Sequence, residues 1–126
     1  MGKFVVYKTD TGYLFHLKAG NGETIGTSEV YTSLAACRTG IASVQKNAPS
    51  AAKVDMTVAL VKEAASPKFE VYRDAAGQFR FRLKAQNGEI VLASEGYTAK
   101  ASCEHGISSV RKNAVNALVI EPALSR

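Results

Sequence analysis

With 126 residues, 46% of them apolar and 21% charged, the chain suits one globular unit or two very small ones sharing a core, and it is too apolar to be a disordered tail. No stretch approaches the roughly 18 consecutive apolar residues of a membrane-spanning helix, so no membrane association is expected. The 16 basic and 11 acidic residues leave +5, divided as +2 before Pro67 and +3 from it onward, so neither half is a basic arm and attraction to polyanions is permitted without being required.

Met1-Gly2-Lys3-Phe4 leads straight into a run of β-formers, Phe4-Val5-Val6-Tyr7. No signal peptide is read there, and a cytoplasmic protein is expected. A polar turn ends at Gly12. Tyr13, Phe15 and Leu17 then alternate with Leu14, His16 and Lys18, the period of two that marks a strand with one covered face. Asn21-Gly22 predicts a type I′ hairpin, because both residues tolerate positive φ. Thr24-Ile25-Gly26-Thr27 is a weaker third strand. Thr32 is placed to cap a helix whose apolar face is Cys37, Ile41, Val44 and Ala48. Lys46-Asn47 suits its end, with Asn47 taking a left-handed turn, and Pro49 stops it. Ala52–Met56 predicts a fourth strand.

From Lys68 the pattern starts again. Lys3–Gly12 aligns with Lys68–Gly77 and Tyr13–Ala48 with Phe79–Ala114 across a single one-residue gap, and about 25 of 46 aligned positions are identical. The second copy reads Phe69-Glu70-Val71-Tyr72, then Phe79, Phe81 and Leu83 alternating with Arg80, Arg82 and Lys84, then Asn87-Gly88. Its third strand, Ile90-Val91-Leu92-Ala93, is apolar on both parities and predicts cover on both faces. Thr98 caps a helix whose apolar face is Cys103, Ile107, Val110 and Ala114, and Ala117–Glu121 is the fourth strand. Gly40 and Gly106 lie mid-helix at a cost of about 1 kcal/mol each relative to Ala, which predicts close approach of helix and sheet. The organisation is repeat 1 over 1–56, a linker over 57–67 and repeat 2 over 68–126, packed as one unit. The fold class is α+β: two tandem β-β-β-α-β repeats, antiparallel strands with one helix per repeat, related by a pseudo-two-fold axis.

These motifs carry a resemblance. Lys68-Phe69-Glu70-Val71-Tyr72, Phe81-Arg82-Leu83-Lys84-Ala85, Asn87-Gly88-Glu89, Ser94-Glu95-Gly96-Tyr97 and Gly106-Ile107-Ser108-Ser109-Val110-Arg111-Lys112-Asn113-Ala114 resemble the YegP-like family, small bacterial proteins classed as a domain of unknown function. The first copy departs from the pattern where His16 replaces Arg, where Val30 replaces the Gly before Tyr31, and in a first turn one residue shorter. The resemblance implies an α+β fold, and pairing between single-copy members that a duplicated chain would carry out internally, as a monomer. It implies no activity and no catalytic residue.

Chemistry is sparse. Cys103 and His105 stand two apart on a helix and point in different directions, while Cys37 and Cys103, one per copy, suit a reduced core. No Cys-x-x-Cys, His-x-x-x-His or clustered carboxylate set offers the ligands of a metal site, Gly20 and Gly22 do not form a phosphate loop, and neither cofactor nor catalytic residue is assigned. Glu29 and Glu95, in matching segments, are read as residues near helix N-termini rather than as an acid/base couple. The strongest lead is the row Arg80, Arg82 and Lys84 with Tyr72 beside it, a candidate anion or single-stranded nucleic-acid surface working by phosphate attraction and stacking. The expected role is a non-enzymatic interaction or structural module with an unidentified protein partner. Weak polyanion binding through that row is the alternative, and a small enzyme whose site only folding would assemble is the third reading.

Overall fold

The computed structural model describes residues 2–123. In chain order the elements are β1 (Lys3–Lys8), β2 (Tyr13–Lys18), β3 (Thr24–Thr27), α1 (Leu34–Asn47), β4 (Ala52–Asp55), β5 (Lys68–Arg73), β6 (Phe79–Lys84), β7 (Ile90–Ala93), α2 (Lys100–Ala114) and β8 (Leu118–Ala123). The fold is α+β. Its strands form one eight-stranded sheet in the order β4-β5-β6-β7-β3-β2-β1-β8.

The sheet is mixed, where the sequence predicted antiparallel strands. β4 joins β5 in parallel from Ala52↔Lys68 to Asp55↔Val71, and β8 joins β1 in parallel from Lys3↔Leu118 to Val5↔Ile120. The last strand of each copy therefore completes the sheet of the other. The 14-residue α1 explains this: at 1.5 Å per residue it carries the chain about 21 Å across the sheet, far enough to deliver a parallel strand that no hairpin could.

At the centre, β3 meets β7 through one antiparallel pair, Thr27↔Ala93. A Cβ placed on Gly26 would lie 2.7 Å from Leu92 Cγ. Gly26 and Leu92 are equivalent positions in the two copies, so the large residue of one copy fills the space left by the small residue of the other. That is why the first copy's third strand reads weakly. Beside the junction, the Phe15 and Phe81 N–H groups donate to Ser28 Oγ and Ser94 Oγ, both at 2.9 Å, so buried backbone donors are satisfied just past the point where the β2–β3 and β6–β7 ladders end.

Both helices pack on one face. Phe4, Val6, Phe15, Leu17, Phe69, Val71, Phe81 and Leu83 share a single core with Ile41, Val44, Ile107 and Val110. Cys37 and Cys103 are fully buried in it. Tyr31 and Tyr97 explain the helical glycines: a Cβ on Gly106 would lie 2.7 Å from Tyr97 Oη and 2.9 Å from the Phe81 ring, and one on Gly40 would overlap Tyr31 Oη.

Local details differ from the sequence reading. The α1 cap is Ser33, whose Oγ accepts the Ala36 N–H at 3.0 Å, one residue beyond Thr32; α2 starts after Ala99 with no side-chain cap. Asn47 and Asn113 stay helical and turn their amides back onto Ser43 and Ser109. Among the described residues only Gly22, Gly77 and Gly88 have positive φ, which rules out type I′. The Gly22 and Gly88 N–H groups donate to the Ala19 and Ala85 carbonyls, and Ala19 and Ala85 donate to Glu23 and Glu89. This is the type I turn closed by a glycine bulge. β7 is covered only in its middle, since Ile90 is exposed. Residues 57–67 form no helix or strand, with Leu60 in solvent.

Candidate functional site

The sheet face opposite the helices is a surface made of the outward parity of every strand. A transverse row crosses it: Val54, Glu70, Arg82, Ala93, Thr27, His16, Val5 and Ile120 are neighbours in register. Tyr72 lies opposite Arg80, Glu70 opposite Arg82, and Lys68 opposite Lys84. Tyr72, Arg80, Arg82 and Lys84 are thus together on this face, with the Arg82 guanidinium 4.5 Å from the centre of the Tyr72 ring.

The cations in this row are paired with acids. Arg82 Nε donates to Glu70 Oε1 at 2.7 Å, Lys84 Nζ stands 3.2 Å from the same oxygen, and Lys68 Nζ is 3.3 Å from Oε2. Glu70 is only 2% exposed. Burial by itself would push its carboxyl up, but the hydrogen bonds from Arg82, Lys84 and Lys68 together with the Arg82 charge outweigh it and hold Glu70 below the usual carboxylate range. Arg80 Nε donates to Asp74 Oδ2 at 2.6 Å. That hydrogen bond first, and then the N–H groups of Gln78 and Ala76, lower the Asp74 pKa. Lys68 also reaches Glu63 at 3.2 Å. Tyr72 therefore sits inside an ordered, nearly neutral ionic lattice, in which each cation has an acidic partner.

The other half of the face differs. Val5 stands where Glu70 does, Leu14 where Arg80 does, and His16 where Arg82 does. Val5, Tyr7 and Leu14 form a small second apolar cluster. The Tyr7 and His16 rings are 5.0 Å apart, and Lys18 lies 5.9 Å over Tyr7. One duplicated surface thus carries an ionic half and an apolar-aromatic half.

The remaining reactive residues do not converge. Cys103 faces the core, where burial first and the charges of Glu104 and Asp55 next push its thiol up to about 11, whereas His105 is exposed. Glu29 and Glu95 diverge because the antiparallel Thr27↔Ala93 pair sends the following residues in opposite directions. No group of three or more His, Cys, Asp or Glu residues is close enough to hold a metal among the described residues, and no helix there is long and apolar enough to cross a membrane.

Sequence reasoning passed over Glu70 and Asp74. A signal was present: counting register outward from the turn at Asp74–Gly77 puts Glu70 opposite Arg82.

Against known families, the model described as "Domain of unknown function (DUF1508)" matches twice, over residues 9–55 and 74–121. The chain belongs to the DUF1508 family. The UPF0339 protein YegP of Escherichia coli O157:H7 is 41% identical over 111 residues, covering 88% of this chain and 87% of that protein. A UPF0339 protein of Treponema denticola is 57% identical over 54 residues, which is 93% of its length but 43% of this one, so that DUF1508 relative corresponds to one copy. The solution NMR structure of YegP from E. coli superposes with a TM-score of 0.77 at 38% identity, covering 94% of this chain and 90% of that one. That E. coli protein is described as one of unknown function.

Proposed function

We propose that this DUF1508 protein is a non-enzymatic interaction module: two β-β-β-α-β copies related by a pseudo-two-fold axis, joined by exchange of their last strands, and presenting the helix-free sheet face to a protein partner. The single-copy length of the Treponema relative supports an internal pair in place of two chains. The carrying observation is the one-sided architecture. Among the described residues, two helices close one face over a continuous core, while the other face of the single sheet carries no helix and keeps an ordered array of tyrosines, cations and carboxylates. Pre-paired charges around aromatic residues suit recognition of a polar, mixed-charge protein surface, since rim charges set orientation while aromatic residues supply contact area. A reducing cytoplasm fits two free buried thiols. The test is affinity purification of the wild type beside a Tyr72→Ser/Arg80→Ser variant, with the fold checked by circular dichroism. Loss of specific partners from the folded variant is expected, and an unchanged partner set would refute the reading.

A second reading, weak binding of single-stranded nucleic acid or another polyanion through Tyr72, Arg80, Arg82 and Lys84, draws support from their grouping on one face. Glu70 and Asp74 count against it, because phosphate would have to displace carboxylates already in place. Titration of a fluorescent oligonucleotide at two salt concentrations tests it: binding that falls with a salt slope near −0.7 per phosphate and vanishes in Arg80→Gln/Lys84→Gln would promote it, and no binding at low salt would remove it. An enzyme would need a convergent site, for which the separated Cys103 and His105 give no support.

A further inference from the structure

We propose that the outer edge of β8 is a strand-addition surface whose occupant is a second copy of this chain, paired antiparallel about Val119. Among the described residues, β8 is a terminal strand of the sheet and pairs on one side only, with β1. Leu118, Val119 and Ile120 are 61%, 45% and 44% exposed. Three consecutive exposed apolar β-formers on an open edge are what soluble proteins avoid unless the edge is used. β8 is blunted only past Ile120, by the register shift before Ala123 and by Pro122, whereas the opposite edge is blunted along its length. β4 is four residues long, its Lys53 and Asp55 are tied to Glu104 and Lys100 of α2, and its Val54 is buried.

The pairing follows from the backbone. The Leu118 N–H donates to the Gly2 carbonyl, toward β1. Alternation therefore turns the Val119 amide outward, on the edge away from β1. An antiparallel partner centred on Val119 puts Leu118 opposite Ile120 of the second copy, twice by symmetry, on the helix-free face. Val119 meets its own copy on the helix face. There, a recess of about 240 Å³ lined by Arg38, Ile41, Ala42, Gln45, Val119 and Glu121 lies between α1 and β8, open to receive it. Charge does not oppose the approach, since Glu121 is held by Arg38 at 2.7 Å and faces Ala117 of the second copy in this register. Every exposed apolar side chain of the strand thus finds an apolar partner. An isologous contact of this kind closes at two copies and leaves only the blunted β4 edges at the ends of the joined sheet.

Sedimentation equilibrium of the full chain from low micromolar to several hundred micromolar tests this. A monomer–dimer equilibrium is expected, shifted at least tenfold toward monomer by Leu118→Lys and by Val119→Lys. These are solvent-facing positions, so circular dichroism should stay native. The double variant Leu118→Lys/Ile120→Glu, which places opposite charges across both symmetry-related contacts, should recover the dimer. A wild type that stays monomeric throughout, or a dimer indifferent to the single substitutions, would overturn the proposal. A dimer lost in the single variants but not recovered in the double would overturn the register about Val119.

Discussion

Glu70→Gln probes the ionic half of the sheet face most sharply, because it keeps the side chain's shape and removes its charge. In the wild type one carboxylate, 2% exposed, takes a 2.7 Å hydrogen bond from Arg82 and further contacts from Lys84 and Lys68. Breaking a buried ion pair from one side costs about 3–5 kcal/mol. Here the stranded cations recover part of that, since the Arg82 and Lys84 side chains are 28% and 27% exposed and can turn toward water. A loss of about 2–3 kcal/mol is therefore expected, or roughly 6–12 °C in Tm for a domain this size. The pH dependence carries a definite sign. Glu70's folded pKa lies below its unfolded value, so its contribution is complete above about pH 4.3 and disappears as pH falls through the folded pKa. Urea denaturation of both proteins should accordingly show the full difference at pH 7 and a shrinking one below pH 4. A difference under about 0.5 kcal/mol at pH 7, in the range of an ordinary surface substitution, or one that does not shrink in acid, would refute the reasoning. Copying the sister half supplies a control: Glu70→Val with Arg82→His should cost less than Glu70→Val alone, since the cation that donates the shortest hydrogen bond to Glu70 is then no longer stranded.

Three further outcomes follow from the packing and charge. Gly106→Ala should destabilise despite a helix-propensity gain of about 1 kcal/mol, because its Cβ meets Tyr97 Oη at 2.7 Å and overpacking costs about 1–3 kcal/mol; chemical denaturation showing a more stable variant would contradict the close approach. Cys37 and Cys103, both buried and with thiols pushed up to about 11 mainly by desolvation, should resist a disulfide reagent in native protein and react on unfolding; prompt native labelling would contradict their burial. Asp55 experiences an opposing rise from burial, yet hydrogen bonds from Lys100 and Thr57 hold its pKa down to about 2. Its stabilisation should persist above about pH 4 and fade toward pH 2, so an acid titration of Asp55→Asn should be flatter than wild type there, and identical curves would deny the contact.

The duplication, the strand parities, the helix faces and the grouping of Tyr72 with Arg80, Arg82 and Lys84 were legible because they are periodic or local. What the sequence did not reveal is mostly relational. Hydrophobic pattern identifies Ala52–Met56 as a strand, yet nothing in it says that the strand joins Lys68–Arg73 of the other copy; that depends on how far α1 carries the chain. Asn-Gly signalled both hairpins but not their type, because the preceding Gly20 or Gln86 supplies a third loop residue that lets Gly22 or Gly88 alone take positive φ. Gly26 looked like a weak strand residue until Leu92 was seen to occupy its space. Arg80, Arg82 and Lys84 read as free cations because charge in a sequence is counted by type, whereas register and turn geometry bring each of them to Glu70 or Asp74.

The assignment of the helix-free face as the contacting surface is tested most directly by photo-crosslinking in living cells, with a benzophenone amino acid introduced in place of Tyr72 and, separately, in place of His105 on the exposed side of α2. Discrete adducts from position 72 and none from position 105 are the predicted result; adducts confined to position 105 would place the partner on the helix side and contradict the account.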